Sequence, residues 1–160
     1  MTTSIPRAHR ISRVLLVTGL AGVGIVQPAT IAMAADPSVT LTADSVLGEE
    51  GTFTADGGPC ASGTTAEPGG VTVTERRKKL VFDLEKVFTC SDGSGSFTVR
   101  IHATYQPCLP SDRGVWTVVG GTGRHTALRG HGTLVGTYWP GPCDDAQGIT
   151  DVLVGTMRAR

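Results

Sequence analysis

The stretch that decides the fold runs from Val115 to Val135 and reads VWTVVGGTGRHTALRGHGTLV. Two apolar, β-branched runs flank a segment that holds Gly120, Gly121, Gly123, Gly130 and Gly132. Glycine adopts positive φ and lets backbones approach closely, so this pattern predicts a corner between antiparallel strands. A phosphate cradle needs another context. A dinucleotide fingerprint opens a helix inside a βαβ unit, and a Walker loop ends in Gly-Lys followed by Ser or Thr. Here Gly123 is followed by Arg124 and His125, and no amphipathic helix comes after them.

Outward from this corner the chain alternates short strands with glycine-rich turns. Strands are predicted at Ser38 to Val46, where Val39, Leu41 and Ala43 alternate with polar residues, and at Gly51 to Ala55 around Phe53. Asp56 to Gly70 lacks periodicity and reads as a loop tied down by Cys60. Val71 to Glu75 alternates valine with polar residues and is followed by Arg76, Arg77, Lys78 and Lys79, a cluster that reads as a solvated turn more readily than as an anion-docking patch. Whether one bent strand or two pass through residues 71–88 stays open. Further strands are expected at Gly114 to Gly120, His131 to Trp139 and Ile149 to Arg158. The only approach to a helix is a single turn at Thr126 to Arg129.

The clearest hairpin joins Leu80 to Cys90 and Gly95 to Tyr105 through Ser91-Asp92-Gly93-Ser94. With Cys90 opposite Gly95, one face pairs Phe88 with Phe97, Leu84 with Ile101, Phe82 with Ala103 and Leu80 with Tyr105. On that apolar face Lys86, opposite Val99, is the one misfit. The other face pairs Glu85 with Arg100 and Asp83 with His102, and a slip of one residue would press both acids against Ala103 and Ile101. Many short strands and no helix leave a sandwich or a closed barrel, and closure removes exposed edges. The expectation is an all-β fold, a small closed antiparallel barrel of about eight strands with a glycine-rich corner, spanning residues 39–158.

Gly120-Gly121-Thr122-Gly123-Arg124, then Leu128-Arg129-Gly130 and the strand around Leu134, resembles the corner of allene oxide cyclase-like barrels, the superfamily that includes dirigent proteins and secreted actinobacterial proteins of unknown role. The resemblance implies the barrel and its corner. Members of that superfamily hold an unstable fatty-acid epoxide or orient phenoxy radicals, but their catalytic carboxylates and arginines find no matching local contexts here. Catalytic residues are therefore unknown.

Residues 1–34 read as a secretion signal. Arg7, Arg10 and Arg13 precede an apolar run from Val14 to Val26, and Ala32-Met33-Ala34 forms an A-x-A cleavage site. That run is too short for a membrane span, so no stable span is expected after cleavage. The whole chain has 14 Lys+Arg and 14 Asp+Glu; loss of the three leader arginines leaves 11 against 14 in the single domain 35–160. Such a mildly acidic protein argues against nucleic acid as a partner. Oligomerisation is left open.

Cys60, Cys90, Cys108 and Cys143 remain after export, an even number in an oxidising compartment, which predicts two disulfides. An up-and-down arrangement brings Cys108 and Cys143 to the same end. It brings Cys60 to Cys90 if Val71 to Glu75 is a separate strand. No CxxC pair supports zinc, and no cofactor or metal is expected.

Inward positions are expected for Phe82, Phe88, Phe97, Tyr105, Leu134 and Tyr138, with Trp116 and Trp139 undecided. A small barrel can be filled by such side chains or keep a cavity. Among the histidines, His102 has a partner in Asp83, and His125 and His131 flank the corner, where exposure is expected; no G-x-S-x-G elbow accompanies them. Asp83, Glu85, Arg100 and Asp151 are the candidates for acid/base chemistry, each expected to face solvent, with the side of Asp151 unresolved. The functional expectation is a secreted barrel holding a small, mostly apolar ligand through Tyr105, Trp116 and Tyr138, whose rings combine apolar area with a polar handle. The alternatives are a cofactor-free cyclase or isomerase-like (dirigent-like) protein and a filled structural or surface-interaction module.

Overall fold

A computed structural model describes residues 38–46, 49–140 and 146–159. The proposed signal sequence and Cys143 lie outside the described residues. Among the described residues nine strands follow one another: β1 Ser38–Val46, β2 Gly51–Asp56, β3 Ser62–Ala66, β4 Val71–Arg76, β5 Lys79–Cys90, β6 Ser96–Tyr105, β7 Ser111–Gly121, β8 Leu128–Trp139 and β9 Gly148–Ala159. A 3-10 turn, Gly123–His125, bridges β7 and β8.

All pairings are antiparallel, in the order β3-β2-β1-β9-β8-β7-β6-β5-β4, and β3 also pairs with β5. That extra ladder closes eight strands into a barrel and leaves β4 as a ninth strand extending the sheet beyond it. Around the barrel, Asp112 connects through Gly136, Asp151, Ala43, Phe53 and Gly63 to Cys90 of β5, whereas its neighbour Arg113 connects through Thr104 to Val81 of the same strand, nine residues earlier. This offset is the shear that goes with tilted strands in a closed sheet.

The β5–β6 register is the expected one at every pair, from Leu80 with Tyr105 to Phe88 with Phe97. On its outer face Arg100 donates to Glu85 at 2.8 Å, and His102 Nδ1 lies 2.7 Å from Asp83. The basic cluster is a hairpin turn: Arg77 and Lys78 both take positive φ, and β4 and β5 are two strands. Asp56 to Gly70 corrects the sequence reading, because it contains β3, the strand that closes the barrel. Only Thr65 of β3 is buried; the strand is held by ladders on both edges, to β2 and to β5, and not by an apolar stripe.

The glycine corner closes one end. Gly123 takes φ +56, the left-handed region, and lets the chain turn into β8. Gly132 and Gly155 make a niche for Trp116: a Cβ at either would stand 2.8 or 2.6 Å from its indole ring. His125 corrects the expectation of exposure. It is buried, packed edge-on against Phe97 and 3.0 Å from Ser94 Oγ, whereas His131 is exposed. Phe53, Phe88 and Phe97 stack and cross above it, and the Cys60–Cys90 disulfide staples β5 to the chain entering β3. The expected partner of Cys108, Cys143, lies outside the described residues.

Candidate functional site

The barrel interior divides into two halves. Around the corner end Phe53, Phe88, Phe97, Trp116, Leu128 and Met157 fill the space, each buried. Burying each such side chain stabilises the fold by about 1.5–3 kcal/mol before entropy is counted. Towards the other end a cavity of about 240 Å³ remains. Its apolar wall comes from Phe82, Leu84, Ile101, Ala103, Leu134 and Ile149, and Val71 and Val73 of β4 form part of its rim. Taking ~30 Å³ per water in the liquid, the space equals roughly eight waters.

Among the described residues three carboxyl side chains, Glu67, Asp112 and Asp151, the amine of Lys86 and the phenol of Tyr138 line the cavity. Lys86 is the misfit of the β5–β6 face, and it does point inward, 1% exposed, between Phe88 and Leu84. Its Nζ lies 2.5 Å from Asp151 Oδ2 and 3.2 Å from Glu67 Oε1, on the connection between β3 and β4. Burial alone would lower the lysine pKa, but the charges of and hydrogen bonds to Asp151 and Glu67 outweigh it and leave the value raised. Lys86 is therefore an ammonium ion, not an amine nucleophile.

Asp151 corrects the expectation that it faces solvent. It lies in the inward set of β9 with Leu153 and Met157 and is 5% exposed. Asp83, Glu85 and Arg100 do face outward and take no part in the cavity.

Asp112, which the sequence reading did not single out, is buried on β7, where its Oδ1 accepts from the Gly136 N–H and its Oδ2 from the Tyr138 hydroxyl, each at 2.9 Å. Desolvation, with the charge of Asp151 adding to it, pushes the Asp112 carboxyl above its ordinary value despite those two hydrogen bonds. Burial and the neighbouring Asp112 charge raise the Tyr138 phenol as well, so it stays protonated and donates. Gly136 separates the two aspartates in register, paired with Asp112 on one side and Asp151 on the other. A Cβ there would come within 2.5 Å of Asp112 Oδ1 and 2.9 Å of Asp151 Oδ1, so only glycine leaves room for both carboxyls.

Of the three aromatic residues expected at a ligand, Tyr138 lines the cavity, and Tyr105 packs behind it with ring centroids 4.9 Å apart. Trp116 is elsewhere: it is 1% exposed in its glycine niche, donating from Nε1 to the Thr133 carbonyl, and does not reach the cavity wall. Among the described residues no group of three His, Cys, Asp or Glu side chains is placed to hold a metal, and no helix is long and apolar enough to cross a membrane. No family model, curated protein or solved structure matches the chain.

Proposed function

We propose that the chain is an exported β-barrel protein that holds a small, mostly apolar molecule in the open half of its barrel. The observation that carries this reading is the division of the interior. One half is packed by aromatic rings, and the other keeps a cavity whose wall is aliphatic and aromatic and whose polar groups are few and convergent, the composition expected of a small-molecule site. Export is supported by the leader pattern and by the Cys60–Cys90 disulfide, which belongs to an oxidising compartment. The corner glycines support the resemblance to allene oxide cyclase-like barrels without bringing any residue role with them.

The test is native mass spectrometry of protein purified from its own culture medium, followed by extraction of what is bound and a thermal-shift screen of apolar and aromatic metabolites. A bound molecule, lost when Leu134→Trp fills the cavity, is the expected result. No bound species and no thermal shift across the screen would overturn the reading and favour a surface-interaction module.

A second reading is favoured by one observation. Asp112 and Tyr138 place ionisable groups on the wall of an otherwise apolar cavity, the arrangement that proton transfer in a confined substrate needs. A cofactor-free cyclase or isomerase-like protein would use them, and turnover of the extracted molecule, abolished in Asp112→Asn but retained in Glu85→Gln, would establish it.

A further inference from the structure

Charge in the cavity is out of balance. Among the described residues its lining holds three carboxyl groups and a single base, Lys86, whose ammonium already contacts both Asp151 and Glu67. Among the described residues Asp112 receives only neutral donors, the Gly136 N–H and the Tyr138 hydroxyl. With Asp112 protonated the set carries one negative charge more than positive; with it ionised, two more. A carboxylate in so apolar a setting favours any cation that can reach it. The aromatic side chains at the same level suit a cation too: Phe82 and Tyr138 line the cavity, and Tyr105 packs against both, with ring centroids at 6.4 and 4.9 Å.

We propose that the molecule held in this cavity is a compact organic cation, a protonated amine on a small apolar body, whose charge is met by the carboxyl groups of Asp112, Glu67 and Asp151. The proposal rests on the small-molecule reading above and narrows it. An anion of the same shape meets excess negative charge and is rejected, and a neutral molecule leaves the imbalance in place. Binding also acts on Asp112. Its carboxyl faces Tyr138 on β8, Asp151 on β9 and the Lys86 ammonium from β5, with Tyr105 of β6 packed on Tyr138 and Glu67 lining the same cavity; a new cation among them favours the ionised form of Asp112.

Calorimetric titration of the protein with isobutylamine, cyclohexylmethylamine and benzylamine, each beside the alcohol and the carboxylate of the same skeleton, tests this. The expected result is that at least one amine binds ten-fold or more tightly than its alcohol and that the carboxylates give no heat. The amine's affinity should rise with pH wherever Asp112 loses its proton, and Asp112→Asn should flatten that rise. Glu67→Gln, a part-exposed side chain at the mouth whose change leaves the barrel intact, should shrink the amine-to-alcohol ratio at least three-fold. Alcohols binding as tightly as amines, or carboxylates binding best, would overturn the cation proposal and leave the small-molecule reading standing. No binding by any member of the nine, together with an empty protein in native mass spectrometry, would overturn both.

Discussion

Replacing Lys86 by Met removes the ammonium from the one fully buried lysine while keeping a side chain of similar length. The variant leaves Asp151, 5% exposed, without its cation. Breaking a buried pair on one side destabilises by about 3–5 kcal/mol, because the remaining charge is uncompensated. A second route to the magnitude gives the same answer. The stranded carboxyl can escape by taking up a proton, which costs about 1.4 kcal/mol for each pH unit between an ordinary aspartate value near 4 and the assay pH, or about 4 kcal/mol at pH 7.

The two routes differ in one respect, and it gives the experiment its edge. If protonation is the escape, the deficit of Lys86→Met relative to the parent shrinks by about 1.4 kcal/mol per unit as pH falls, leaving roughly 1–2 kcal/mol at pH 5. Urea unfolding of both proteins at pH 5, 6 and 7 reads this directly, and equal m values would show that the same surface is exposed. The double variant Lys86→Met with Asp151→Leu then replaces both partners by apolar groups and should recover most of the loss, as buried pairs generally do. A single variant losing under 1 kcal/mol, a deficit independent of pH, or a double variant less stable than Lys86→Met would refute the idea that the interior depends on this pairing.

Three further outcomes follow from the same geometry. Gly136→Ala drives a methyl between the two buried aspartates and should cost about 1–3 kcal/mol in urea melts, together with any ligand binding; wild-type stability would show that the carboxyls can move apart. Burial and Asp151 hold the Asp112 carboxyl pKa above its unfolded value, so its contribution to stability is complete below about pH 4 and is lost as pH rises through the folded value. Asp112→Asn should therefore gain on the parent as pH rises above about 4, and a stability difference that does not change with pH would count against this. Glu85→Ala or Arg100→Ala removes a solvent-facing pair and should shift stability by no more than about 1 kcal/mol and leave ligand binding intact; loss of binding would move the site to the outer face.

How far the sequence discloses this molecule depends on where each strand's information resides. The β5–β6 hairpin is legible because its two faces differ so sharply that a slip of one residue would bury two acids. β3 is not legible. Its segment, SGTTA, has no apolar alternation, since its place is fixed by neighbours on both edges and by the adjacent Cys60, and such support leaves no periodic trace in the strand itself. His125 misleads for a related reason: a polar residue beside glycines suggests exposure, but the corner folds it onto Phe97, where Ser94 satisfies its ring nitrogen.

The site was half legible, and the half that could be read was the misfit. A register firm enough to place Lys86 inward implies that some distant carboxylate must follow it, and Asp151, 65 residues away, is that group. What the sequence could not supply was the side of β9 on which Asp151 falls, or the meaning of Gly136, a glycine far from any turn that makes room for two carboxyls. Stability does not explain this arrangement. A buried ion pair is weak evidence of stabilisation, and leucine and methionine at the same level would serve a packed barrel at least as well. The buried aspartates and lysine coincide with the half of the barrel that is left unfilled, while the filled half holds His125 among its rings. The double variant at Lys86 and Asp151 separates the two roles: a barrel that is as stable as the parent and no longer discriminates among amine, alcohol and carboxylate would show that these charges serve the cavity's occupant, and one that discriminates as before would show that they do not.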